Sequence, residues 1–269
     1  DVEYLINMKG NHQVLDQSYR CPKLVHNVAD EIVQRISNRR PKIWKPRDVD
    51  GSVRYHAYPE SVNVREGNWL ILATCKYMYN EMEDDLRVQG LPYKKDGKLP
   101  IDKELLNAVD TWDRLHRAEY VSYKNIKDVY SYLPSKTGLE RGHKNMQSFT
   151  DENNEYNLVD LQDNHGLKLF NVPWDVAFDS IGTKDAEYIR NLQRFDNVTA
   201  EPKINMSTIH VAKGGECDNV MLMTDLSRAN QVEMEKNSDD TNRVMYVGAT
   251  RAKKTLHVIN NQNYGGFRI

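Results

Sequence analysis

Strand and helix patterns alternate in two separate parts of this chain, and that spacing limits its folds more than any other feature. In the first part, Pro22 stands where a first helical residue would, since its missing N–H costs nothing there. Leu24, Val25, Val28, Ala29, Ile32, Val33 and Ile36 then form one apolar stripe at helical spacing, within a stretch running from Gln17 to Arg40. Ser52 to Tyr58 alternates as a strand, and Trp69 to Ala73 is a short apolar run fit for burial on both faces. Tyr77 to Gln89 predicts a helix through Met78, Met82 and Leu86, stopped by Gly90 and Pro92. The second part begins at Lys203, with strands predicted at Ile204 to Thr208, Val220 to Met223 and Thr255 to Ile259. A helix from Asp239 to Ala252 lies between the last two, with Ser238 as its expected N-cap. Such alternation favours a parallel α/β sheet.

Between the two parts the character changes. Asp102 is placed to cap a helix carrying Leu105, Ala108, Val109, Trp112 and Leu115 on one side, and another helix is expected near Lys184 to Phe195. The polar stretch Gly138 to Asn157 has no clear period. The expectation is one α/β domain built from residues 1–93 and 203–269, interrupted by a mostly helical inserted subdomain at 94–202.

Composition narrows the class. At 269 residues, 39% hydrophobic and 28% charged, the chain is neither disordered nor membrane-embedded by composition. No stretch approaches the ~20 consecutive apolar residues of a spanning helix, and Asp1 to Asn11 lacks the order of a signal peptide. Cys21, Cys75 and Cys217 are scattered, which argues for a reducing, cytoplasmic setting and against a disulfide frame or structural zinc. A net charge of −2 neither announces a nucleic-acid partner nor excludes a local basic groove.

Three segments carry chemistry. Thr208-Ile209-His210-Val211-Ala212-Lys213-Gly214-Gly215-Glu216 leaves a predicted strand through paired glycines and one charge of each sign. Loops at the C-terminal ends of parallel strands are where α/β proteins bind ligands, though an ordinary turn with a solvated lysine fits the spacing as well. Tyr246-Val247-Gly248-Ala249-Thr250-Arg251-Ala252 places Val244, Val247, Gly248 and Arg251 on one helical face. Gly248 costs roughly 1 kcal/mol there against Ala, so close packing or ligand approach keeps it. Gln17-Ser18-Tyr19-Arg20 puts an aromatic ring and an arginine just ahead of a helix, suited to a base and a phosphate or to a core tyrosine beside a surface arginine.

In chain order, Gln17 to Arg20, Thr208 to Glu216 and Tyr246 to Ala252 resemble motifs IV (Q-N-Y-R-S), V (T-x-H-x-A-K-G-x-E) and VI (Y-V-G-x-T-R-A) of the UvrD/Rep-like superfamily 1 DNA helicases. Leu70-Ile71-Leu72 through Leu91-Pro92-Tyr93 resembles the same family's strand, helix and G-I-P-Y passage. The resemblance implies a RecA-like parallel sheet flanked by helices. It implies that Tyr19 stacks on adenine, that Glu216 holds the ribose beside Gly214 of the motif V loop, and that Arg20 and Arg251 reach the γ-phosphate of ATP. It implies further that Thr208 and His210 lie on the single-stranded DNA track, with 3′ to 5′ polarity. Ser18 and Cys21 depart from the family pattern, and Ala73-Thr74-Cys75-Lys76 lacks the arginine often found after that strand.

No G-x-x-x-x-G-K-[ST] occurs; the only Gly-Lys pair, Gly97-Lys98, is followed by Leu99. The chain therefore holds neither the phosphate cradle nor its hydroxyl for Mg²⁺. Family order suggests that it begins just after motif III. The expected function is the C-terminal half of an ATP-dependent DNA helicase acting on single-stranded or partially duplex DNA. Mg²⁺ ligands and the phosphate loop would come from an N-terminal RecA-like domain. The competing expectation is a module that grips nucleic acid or protein without catalysis.

Overall fold

A computed structural model describes residues 16–39, 43–212, 214–260 and 266–269 of the protein; Lys213 and the Asp1–Asn11 stretch lie outside them. In chain order the first elements are β1 (Gln17–Pro22), α1 (Lys23–Gln34), β2 (Lys45–Arg47), β3 (Ser52–His56), β4 (Trp69–Ala73), α2 (Asn80–Val88) and β5 (Tyr93–Lys95). Next come α3 (Lys103–His116), β6 (Val121–Ser122), α4 (Tyr123–Tyr132), β7 (Glu155–Tyr156), α5 (Leu158–Asn164), α6 (Trp174–Ala177) and α7 (Thr183–Arg194). The chain ends with β8 (Ile204–Thr208), β9 (Cys217–Met223), α8 (Arg228–Lys236), α9 (Ser238–Ala249) and β10 (Ala252–Ile259). These elements separate into two compact units.

The first unit takes the described residues of Asp1–Asp85, Tyr93–Lys98 and Pro202–Ile269. Its centre is a six-stranded sheet in the order β3-β10-β9-β4-β8-β5, with every neighbouring pair parallel. All five residues of β4 are buried, as an apolar run in the middle of a parallel sheet requires. Register brings Leu70 of β4 beside Val220 of β9, and Val220 beside Leu256 of β10. Val25 and Ile32 of α1, and Met245 and Ala249 of α9, close over these strands in one buried cluster. This is the parallel α/β sheet flanked by helices that the sequence resemblance implies.

Several boundaries differ from expectation. Pro22, expected as the first residue of α1, instead occupies its N-cap and ends β1, which pairs with β2. Asn237, not Ser238, caps α9, its side chain accepting from the Asp239 N–H. Helix α9 stops at Ala249, so Arg251 lies past its end rather than on its last turn. Here the side chains close the helix: Thr250 Oγ1 donates to Val247 O at 3.1 Å and Arg251 Nε donates to the same carbonyl at 2.9 Å. Gly248 is explained by packing. A Cβ there would stand 2.8 Å from Leu222 Cδ1 and 3.3 Å from Ile209 Cδ1.

The second unit comprises Leu86–Pro92 and Leu99–Glu201, and its regular structure is mainly helices joined by turns and loops. Ala108, Val109, Trp112 and Leu115 of α3 are buried, as are Ile126, Val129 and Tyr130 of α4. The polar stretch Gly138 to Asn157 is largely turns, anchored by Phe149 stacked on His165 at a 3.9 Å ring separation. Asn157 and Asp160 form a reciprocal capping box at the start of α5. No helix among the described residues is long and apolar enough to cross a membrane.

Candidate functional site

An open cleft of about 460 Å³ lies in the first unit, lined by Gln17, Ser18, Tyr19, Arg20, Trp44, Glu216, Tyr246 and Lys253. Three distant segments of sequence meet there, and local chemistry explains how. Ser18 Oγ accepts from the backbone N–H of Cys21 at 3.0 Å and of Arg20 at 3.4 Å, bracing β1 across the irregularity in its pairing with β2. Buried Cys21 then donates from Sγ to Thr250 O at 3.6 Å, which pins β1 to the end of α9. The serine and cysteine that depart from the family pattern thus hold Arg20 in place.

Tyr19 leaves 86% of its surface in water. Arg20 Nη1 lies 3.8 Å from Glu216 Oε2, and Lys253 Nζ lies 3.4 Å from Glu216 Oε1, so one carboxylate sits between two cations. Arg20 Nε is buried without a hydrogen-bond partner. Arg251, only 8% exposed, sits beneath the cleft rather than on its wall, donating Nη1 to Gly215 O at 3.1 Å. Burial lowers the Arg251 pKa from its ordinary value, and the nearby charge of Arg20 lowers it further. Two guanidinium groups close enough to repel, with one shared carboxylate, make a place where an added anion is stabilised.

Trp44 and Tyr246 complete the walls, and sequence reasoning assigned neither a role. Their rings meet edge to face at 5.9 Å, and His26 donates from Nε2 to Trp44 O at 2.7 Å while its ring packs at 4.3 Å. Burial also raises the Tyr246 phenol pKa. Tyr246 falls inside the motif VI stretch; Trp44 belongs to no motif, and nothing in its sequence surroundings marked it.

Thr208, His210 and Gly214 are not part of this cleft. Thr208 pairs with Ala73, and Leu72 with Leu222, which sets Thr208 level with Met223 at the C-terminal end of β9. Glu216 precedes β9 at its other end, some ~20 Å away at ~3.3 Å per residue. The loop expected to bind at the strand ends therefore runs back across the sheet, with Ile209 and Ala212 buried in the core on the way. His210 is exposed at its start. Gly214 has φ +93°, a left-handed conformation that suits glycine in the return turn. Among the described residues, no group of three or more His, Cys, Asp and Glu could hold a metal ion.

The family model for the UvrD-like helicase C-terminal domain matches residues 100–263. The chain belongs to this family. UvrD-like helicases are generally ATP-dependent and DNA-binding, which fits a cleft that gathers arginines around one carboxylate. No curated protein matches the chain at a significant level.

Proposed function

We propose that this UvrD-like C-terminal domain is one half of an ATP-dependent DNA translocase, supplying the arginine side of the nucleotide site and part of the DNA track. The observation that carries the reading is the meeting of Tyr19, Arg20 and Glu216 in one cleft with Arg251 directly beneath it. The donor set fits a nucleoside triphosphate. Tyr19 offers a free aromatic face to a base, Glu216 accepts from ribose hydroxyls, and Arg20 with Arg251 neutralises phosphate charge. Arg20 Nε, buried and unpartnered, gains an acceptor when an anion enters.

Phosphoryl transfer is catalysed mostly by positioning and charge neutralisation. This chain supplies the second and lacks a phosphate loop for the first, so turnover requires a Walker A domain facing the cleft. Closure and reopening against that domain would move the pair along single-stranded DNA, with Thr208 and His210 on the track side. The test is a steady-state ATPase assay, with and without single-stranded DNA, on the chain extended by its Walker A domain. Arg251→Ala is expected to lower kcat by ~10³-fold or more, the range of arginine fingers, with an unchanged circular dichroism spectrum. Arg20→Ala should act in the same direction. DNA-stimulated activity that survives Arg251→Ala sinks the assignment.

A further inference from the structure

We propose that Tyr77 is a base-stacking contact for single-stranded DNA, on the surface formed by the C-terminal ends of β4 and β8. The inference rests on the proposed DNA role of Thr208 and His210 and adds a phenol ring as a stacking platform near that strand end.

The placement comes from a short 3-10 turn, Lys76–Tyr79, which follows β4. Within this turn Tyr79 is fully buried and Tyr77 is 60% exposed, so the turn holds the Tyr77 ring outward. An exposed tyrosine by itself is ordinary. This one differs because its turn is fixed against the loop that carries Thr208 and His210. The Lys76 ammonium pairs with the Asp96 carboxylate, which also accepts from Ser207 Oγ at 3.1 Å and from the Thr208 backbone. Thr74 Oγ1 donates to Asp225 O at 3.1 Å, and Ile209 N donates to Ala73 O at 3.0 Å. Strands β4 and β8 are hydrogen-bonded neighbours, so both turns leave the sheet about 4.8 Å apart.

A turn that holds one tyrosine ring in water, tied through Lys76 and Asp96 to the strand end that leads to exposed His210, matches the needs of a single strand. Every base has a π-face, and stacking on a fixed aromatic is tolerant of sequence. Tyrosine loses little freedom on binding, having two side-chain torsions. Lys76 is already partnered by Asp96, so the contribution at this spot is stacking rather than phosphate charge.

That distinction makes the proposal testable with fluorescence anisotropy on the intact chain and a labelled oligothymidylate. Tyr77→Ala is expected to weaken binding about tenfold, within the range for loss of one base stack, while Tyr77→Phe stays near wild type. The dependence of log K on log salt should be unchanged, because no phosphate contact is removed. An oligonucleotide of abasic sugars should bind wild type and Tyr77→Ala alike. Irradiation with 5-iodouracil in the strand should crosslink the peptide containing Tyr77. If Tyr77→Ala binds oligothymidylate as wild type does while His210→Ala binds less well, this inference fails and the DNA reading stands. A Tyr77→Ala defect that persists on the abasic strand also overturns stacking. If no oligonucleotide binds, both fail.

Discussion

His257 illustrates how one buried residue makes stability depend on pH. It sits in β10, packed against Trp69 at a 4.9 Å ring separation, with its Nδ1 3.0 Å from His56 Nε2. Burial first, then the neighbouring His56 and Arg54, lowers its pKa to about 4. His56 is also lowered, by burial and by Arg54, and its Nδ1 lies 3.3 Å from Ser61 Oγ. Around the pair, only one proton can lie on the shared contact, so a second finds no acceptor there. The folded state therefore holds fewer protons than the unfolded state between the ordinary histidine value and about 4. Stability is full above pH 6.5 and falls as pH drops through that window, by up to about 3 kcal/mol for a shift of this size. Urea denaturation at pH 7.5 and pH 5 measures the loss, and His257→Asn should flatten it. Equal stability at the two pH values would contradict the burial argument.

The same scale shows what the sequence made legible. Tyr19, Arg20, Glu216 and Arg251 were marked by motif, and three of the four line or border one cleft while Arg251 supports it from below. Trp44 was invisible, because its place depends on a strand pair, β1 with β2, that no periodicity announces.

At the scale of elements, apolar period located what is buried and missed what is not. Helix α8 has no buried residue, and so offers no stripe to read. Strand β5 is three residues at the edge of the sheet, two of them lysines, too short for a pattern. No glycine or proline directly follows α9; Thr250 and Arg251 take the free Val247 carbonyl themselves, a stop signal written in side chains. Punctuation was clearer where glycine is obligatory. Gly90 has φ +60°, and a Cβ there would stand 2.4 Å from Asn191 O. Gly97 has φ +80° but nothing within 4 Å of the same added atom. Both substitutions to Ala pay for a left-handed backbone, ~1–2 kcal/mol, and only the first also collides with fixed main chain. Gly90→Ala should therefore destabilise by about 3 kcal/mol or more and Gly97→Ala by about 1, read from denaturant midpoints. Similar losses at both sites would mean that the contact with Asn191 yields freely.

For the whole molecule, charge is nearly balanced, with a net of −2, while the cleft is not. Arg20, Arg251 and Lys253 gather around Glu216 alone, a local excess that favours a polyanion even in an acidic chain. Grip and catalysis should then separate in this chain. On the proposed function, positive charge and an exposed tyrosine should hold ATP weakly, at about millimolar strength or roughly −4 kcal/mol. Hydrolysis needs the γ-phosphate fixed in line with water, and positioning supplies most of the rate. With no G-x-x-x-x-G-K-[ST] anywhere in the 269 residues, that positioning is missing. The expected result is calorimetric binding of ATP that weakens with salt, with no phosphate release above background in the presence of Mg²⁺ and single-stranded DNA. Arg20→Ala should weaken ATP binding and leave adenosine binding nearly unchanged, whereas Tyr19→Ala should weaken both. Robust Mg²⁺-dependent turnover by the chain alone, retained through purification and lost on Arg251→Ala, would show that the cleft positions the phosphate without a Walker A domain.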